Sequence, residues 1–327
     1  MRKYLIDIFV PNHSRGLGVD AEVLKLAIGS QNVRVLSVPI GAYREQISTN
    51  DKTMHFEPEA DTAIFIELLF EHSKLISYPK RVFLTNPEWL RIRDESLAQN
   101  MITDFWHKTK FSRSMLTKIF PEKKHTYIGF TSIPVPAVVD QIDQFDKFAH
   151  FGGKSKTRHT QDIMNIWLNN EKFPMLTVQI YDYDLNIPKW IKSDNLRFFI
   201  GNLNEVEFNA EFSSHGIHIC TSQMEGFGHY INEARSAGAL IITLDAPPMN
   251  ELIDPTCGIL IPVEKCFPYN RGMRNIATPN AIKNGILRTL EMPIEIRKNL
   301  GIKARERFVK DQSDFIYKLK STLALEM

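Results

Sequence analysis

The chain has 327 residues, with 40 Lys and Arg against 38 Asp and Glu, a formal net charge of +2, and 43% hydrophobic and 24% charged residues. These ordinary values exclude wholesale disorder and a fibrous class, and near-neutrality excludes capture of nucleic acid by the whole surface. The length suggests about two domains. The three cysteines, Cys220, Cys257 and Cys266, form no CxxC pair, so neither a disulfide framework nor a structural zinc site is expected. The opening residues carry an acid, Asp7, where a signal peptide would stay apolar, and no apolar run approaches the roughly 20 residues of a membrane span. A soluble, cytoplasmic protein is the expectation.

Taken in chain order, β-branched-rich apolar runs at 4–10, 33–38, 63–66, 81–84 and 127–130 read as strands of a first half. Runs at 147–151, 176–180, 196–200, 217–220, 239–244 and 258–261 read as strands of a second. Helical periodicity falls between them, at 20–29, 160–169, 231–237 and 281–291, and again at 314–325. Strands alternating with such helices mean βαβ units and parallel sheets, and eleven strands exceed one comfortable sheet. The reading is α/β, with two doubly wound parallel-sheet (Rossmann-like) domains at 1–147 and 148–310. The proline-bearing, acidic stretch 131–146 separates them, and the last helix, 310–327, is free to pack back on the first domain.

Several strand ends carry chemistry. After the first strand, Gly16-Leu-Gly18-Val-Asp-Ala21 has the G-x-G-x-x-A form, compatible with a tight turn or with a loop lining a ligand. The next strand ends without the acid that a dinucleotide site needs, which argues against NAD. Gly152-Gly153-Lys154-Ser-Lys156-Thr-Arg158-His159-Thr160 puts two glycines at a strand end, then three cations, then a helix start. That is an anion cradle, or a solvated basic turn. Thr221–Ala234 holds Glu225-Gly226-Phe227-Gly228-His229 and then Glu233, two acids eight apart around a Gly-x-Gly turn and a helix start. Such carboxylates can accept sugar and ribose hydroxyls while the helix-start amides face a phosphate. Asp245-Ala-Pro-Pro-Met-Asn250 forms a further loop after a strand. In open α/β sheets ligands bind outside these carboxyl ends.

In combination these residues resemble the retaining GT-B glycosyltransferases of the group 1, or family 4, type. Glu225-Gly-Phe-Gly-(x)4-Glu233 has that family's E-x7-E form, Gly258-Ile-Leu-Ile-Pro262 its Gly-x-x-x-Pro strand, and Phe199-Ile-Gly201-Asn202-Leu203 its turn beneath the nucleobase. The resemblance spans roughly 148–265 and implies two domains facing across a cleft. It further implies a nucleoside-diphosphate sugar as donor, retention of anomeric configuration, and no metal or other cofactor. By the same resemblance Glu225, Lys154 and Arg158 are catalytic. Gly16, Gly18, Gly153, Asn202, Leu203, Glu225, Gly226, Phe227, Gly228, His229 and Glu233 then bind the donor. The cations Lys154 and Arg158 are four apart, where the family has five, and Asn86–Trp89 stands where the family often has a cleft-facing His. Asn86, Glu88 and Lys108 are the candidates on the acceptor side. A non-catalytic nucleotide-sugar-binding module on the same fold is the alternative, since fold does not fix function.

The acceptor is left open between a glycan or lipid-linked glycan and a modified nucleobase in DNA, as is the oligomeric state. Residues 80–125 hold ten Lys and Arg against five acids, with Trp89, Phe105, Trp106 and Phe111 interleaved. That composition suits a nucleic-acid or anionic-glycan surface, or else a core with solvated cations.

Overall fold

The computed structural model describes residues 5–12, 15–39, 54–137, 142–153, 155–180, 193–201 and 203–325. The chain divides into two compact units, 1–133 with 268–273 and 311–327, and 134–267 with 274–310.

The first unit is built on a six-stranded parallel sheet in the order β2-β1-β3-β4-β5-β6. These strands are β1 (Ile6–Pro11), β2 (Val33–Val38), β3 (Thr62–Ile66), β4 (Lys80–Leu84), β5 (Asp104–His107) and β6 (Lys124–Tyr127). The register sets one phenylalanine per strand side by side: Phe9 opposite Phe65, Phe65 opposite Phe83, Phe83 opposite Phe105. All four are at most 1% exposed, and Phe9 stacks on Phe65 at 5.1 Å. Each such burial contributes about 1.5–3 kcal/mol, so the row holds the strands in register and their carboxyl ends level. Helices α1 (Arg15–Ile28), α2 (Glu95–Met101) and α3 (Lys110–Ile119) make the crossovers. The Thr109 hydroxyl starts α3 by accepting the Ser112 N–H at 3.0 Å.

One expectation in this half is corrected, and one strand was missed. The strand expected at 127–130 runs instead from Lys124 to Tyr127, paired with Asp104–His107. Gly129, with φ +69°, lies in the non-strand segment that follows. The apolar run misled because β6 is a polar edge strand, and its partner β5 was missed because Asp-Phe-Trp-His lacks β-branched residues.

The second unit also has a six-stranded parallel sheet, made of β7 (Phe148–Gly153), β8 (Leu176–Ile180), β9 (Leu196–Ile200), β10 (Ile217–Cys220), β11 (Leu240–Leu244) and β12 (Gly258–Ile261). The order is β12-β11-β10-β7-β8-β9, again parallel. Strands β7, β8, β10 and β11 are buried nearly end to end, as a parallel sheet covered on both faces requires. The helices are α4 (Thr160–Leu168), α5 (Glu205–Ser213), α6 (His229–Ala237), α7 (Met249–Leu252) and α8 (Pro279–Glu291).

The reading missed a hairpin, β13 (Lys265–Tyr269) with β14 (Gly272–Ile276). The last helix, α9, runs from Ile294 to Thr322, starting twenty residues before the expected 314. From Asp311 onward it belongs to the first unit, where Phe315 meets Phe130 edge-on at 5.1 Å. Among the described residues no helix is long and apolar enough to cross a membrane.

Candidate active site

In the second sheet the strand order turns back on itself between β7 and β10, which pair at Ile217–Phe148 and His218–Ala149. The crevice outside such a switch point is where α/β sheets place ligands. Here it lies between the 152–160 loop after β7 and the 221–228 turn after β10. Hydrogen bonds join the two: Gln223 N–H donates to the Thr157 carbonyl at 2.8 Å and the Thr221 hydroxyl to the Arg158 carbonyl at 2.9 Å.

The two glycines of the first loop have different jobs. A Cβ on Gly152 would sit 2.9 Å from Thr160 Oγ1 and 3.3 Å from His150 Nε2, so the position needs close approach. Gly153 has φ +56° and needs the left-handed region. His150 anchors the loop from below: its Nδ1–H donates to the Ile219 carbonyl and its Nε2 accepts the Thr160 hydroxyl, both at 2.8 Å. Burial pushes its pKa down to about 4, so the imidazole stays neutral and keeps that tautomer. His159, itself left-handed at φ 54°, places Nδ1 2.8 Å from Asp162 Oδ2. Its Nε2 meets the Gln223 amide at 3.3 Å, and Arg274 Nε donates to Gln223 Oε1 at 2.7 Å.

Arg158 lies within this frame. Its Nη1 donates to the carbonyls of Phe151 (2.9 Å) and Gly152 (3.3 Å), its guanidinium lies 3.9 Å over the Tyr230 ring, and Nη2 is 3.8 Å from Glu225 Oε1. The side chains of Arg158 and Glu225 keep 19% and 16% of their surface exposed, so both remain reachable. Gly228, at φ 95°, opens α6. Gly226 and Phe227 are buried beneath the turn, Phe227 against His229 at 5.4 Å, and Glu233 lies one turn into α6, half-buried. Burial drives the Cys220 thiol pKa upward; Arg158 opposes that shift while Glu225 and Glu233 add to it, so all three charges gather at the end of β10. Across the sheet the Gln179 amide donates to the Gly201 carbonyl at 2.8 Å, fixing the turn that leads to Leu203. Lys154 and Asn202 lie outside the described residues. The structure therefore brings Arg158, Glu225 and Glu233 together. Sequence reasoning missed Tyr230, Gln223, His150 and Gln179, whose roles depend on which strands are neighbours.

The first unit presents a different strand-end edge. Gly16 and Gly18 lie in the first turn of α1, with open space where a Cβ would point. Lys108 Nζ is 2.5 Å from Asp20 Oδ2, both side chains 2% exposed, and 5.2 Å over the Phe130 ring. Asn86 Nδ2 donates to Glu67 Oε2 at 2.6 Å, and Glu67 Oε1 accepts from the Thr85 hydroxyl (3.2 Å) and the Asn86 N–H (3.3 Å). Glu67 has φ 62°, rare for a non-glycine residue. Burial, then the Glu88 charge, raises its pKa well above the carboxylate range, with Lys108 opposing. Glu88 is 5% exposed, and its carbonyl accepts from Asn270 at 2.6 Å. Glu67 was missed, although an acid directly after a buried strand is a readable signal.

In the basic, aromatic stretch 80–125 part of the aromatic surface is core and several cations are held by backbone carbonyls or acids. Phe105 and Trp106 are fully buried, with Lys80 5.2 Å over Trp106. Arg81 donates to the Met101 and Tyr78 carbonyls, Lys123 to that of Ile102, and Lys124 pairs with Asp104 at 3.7 Å. Trp89 is exposed.

No protein-family model matches the chain, and no curated protein matches it. Solved structures do. HepE from Anabaena, in complex with UDP and glucose, is similar at a TM-score of 0.67 and 11% identity, covering 99% of this chain and 100% of that one. Trehalose-6-phosphate synthase OtsA matches at 0.66 and 11%, covering 99% of each. The pneumococcal O-GlcNAc transferase GtfA, in complex with UDP and GlcNAc, matches at 0.60 and 14%, covering 80% of this chain. The chain spans little more than half of GtfA's length, 56%. With its two parallel sheets, the chain has the GT-B fold.

Proposed function

We propose that the chain is a glycosyltransferase that moves a sugar from a nucleoside-diphosphate donor to an acceptor hydroxyl. The observation that carries this reading is the meeting of the 152–160 loop, the 221–228 turn and the start of α6 at one switch point, with Arg158 3.8 Å from Glu225. As the glycosidic bond breaks, negative charge grows on the departing diphosphate. In this reading Arg158 and the amino end of α6 stabilise that charge, in place of a metal ion. Glu225 accepts hydroxyls of the transferred sugar, Glu233 those of the ribose, and the backbone near Leu203 meets the base. Retention, by attack from the face the diphosphate leaves, belongs to the same reading, as does turnover that survives a chelator. The bound UDP of the HepE and GtfA structures makes UDP-sugars the first donors to try.

The acceptor we infer is a glycan or lipid-linked glycan. Asn86, Glu88 and Lys108 gather about buried carboxylates that suit neutral hydroxyls better than phosphates; of the aromatics in this stretch Phe105 and Trp106 are buried in the core, which leaves Trp89 as the exposed ring.

A thermal-shift panel of UDP, GDP, ADP and CDP with their sugars tests the donor. One nucleotide should stabilise the protein, and Glu233→Ala should weaken its binding by roughly 10–100-fold, as expected for loss of a hydrogen bond to a charged group. No shift with any nucleotide would sink the reading. Donor binding without turnover on glycan acceptors or on DNA bearing a hydroxylated base would make the protein a binding module.

A further inference from the structure

Tyr230, the second residue of α6, touches two parts of the site at once. Its ring lies beneath the Arg158 guanidinium, 3.9 Å away, and its hydroxyl accepts the Ser222 N–H at 3.0 Å, three residues before Glu225. It is 7% exposed, and burial raises its pKa, which keeps the hydroxyl neutral.

Arg158 needs such a platform. The Phe151 and Gly152 carbonyls engage only Nη1, and Nε is buried with no hydrogen-bond partner among the described residues. A guanidinium held only through one terminal nitrogen can swing about that contact. Stacking its plane on an aromatic face removes that freedom and leaves the Nη2 edge directed at Glu225. An aliphatic side chain would fill the same space without a π face.

We propose that Tyr230 is a positioning residue: its ring fixes the plane of Arg158 and its hydroxyl fixes the Ser222–Glu225 turn, so that cation and carboxylate meet the diphosphate-sugar in one geometry. This rests on the donor site described above.

A double-mutant cycle separates the two claims. The probe is whichever of UDP, GDP, ADP and CDP binds the wild type most tightly, and the readouts are its Kd, donor turnover and Tm. Tyr230→Leu should weaken binding and kcat/KM by roughly 10–30-fold, the worth of a desolvated cation–π stack. Tyr230→Phe keeps the ring and should lose no more than roughly fivefold. In an Arg158→Ala background, Tyr230→Leu should cost no more than the roughly fivefold of Tyr230→Phe, because the ring's effect passes through Arg158 and only the hydroxyl's remains. If the Leu variant does not fold, Tyr230→Met, flexible and without a π face, replaces it. Equal losses with and without Arg158, or a Phe variant as impaired as the Leu variant, overturn the positioning role. A silent Arg158→Ala, or no nucleotide bound at all, overturns the donor site and the positioning role together. A severe Arg158→Ala with additive Tyr230→Leu overturns the positioning role alone.

Discussion

Both sheets have six parallel strands, in different orders, and they finish their strand ends with opposite chemistry. In the first unit the edge is acidic: Asp20, Glu67 and Glu88 lie about the buried ammonium of Lys108. In the second, the edge carries two glycines, a glycine-opened helix and Arg158, whose neighbouring carboxylate, Glu225, stays partly exposed. The same backbone geometry thus serves two purposes. What differs is whether the cation is used up on buried protein carboxylates or held, half-open, for something that arrives.

The comparison is sharpest at the two cations. Lys108→Ala removes the ammonium from beside the buried Asp20 carboxylate and should cost about 3–5 kcal/mol of stability, read as a lowered denaturation midpoint. Arg158→Ala should lower Tm by only a few degrees but slow turnover by about 10²–10³, the cost of losing one donor to developing negative charge. If Lys108→Ala harms turnover alone, or Arg158→Ala harms folding alone, the contrast between the edges fails.

Acid should expose a second difference. Burial pushes the pKa of His107 to about 3, of His150 to about 4 and of His218 to about 3. Burial lowers that of His215 as well. The unfolded chain takes up protons below about 6.5 that these native imidazoles refuse, so this stability is present above that pH and is lost as pH falls toward 4 and then 3. The slope is about 1.4 kcal/mol per pH unit for each histidine. His150, His215 and His218 are in the second unit and His107 in the first, so the second unit's unfolding transition should move further between pH 7 and 5. Equal movement of both transitions would break the comparison.

The smallest effect concerns Glu67. Its raised pKa means its contribution is full below about 4.3 and is lost as pH rises toward the native value. Glu67→Gln should therefore gain on the wild type, by about one to a few degrees in Tm, between pH 5 and pH 8.5. A difference that does not change with pH would mean Glu67 is ionised in the native protein.

Much of the fold was legible because it depends on local periodicity. Strands such as 33–38, 176–180 and 217–220 announce themselves as β-branched-rich runs, and the recovered boundaries match within a residue. Strand β5 escaped because its apolar core is only the pair Phe105-Trp106 between polar ends, with no β-branched residue, and β6 because its residues are mostly polar. Within the site, Glu225, Gly228 and Glu233 could be read from spacing, because a turn and one helix place them. Tyr230 could not: its significance is the guanidinium over its ring, seventy-two residues earlier in the chain.

The sequence by itself determined the alternation of strand and helix, the near-neutral charge, and which loops carry glycines, cations and acids. Only the tertiary structure decided that β10 lies beside β7, and hence that Arg158 and Glu225 meet; it also buried Lys108 against Asp20 and Trp106 beneath Lys80. The physical reason is that strand order is set by crossovers and by burial of both sheet faces, long-range terms to which no local pattern is sensitive.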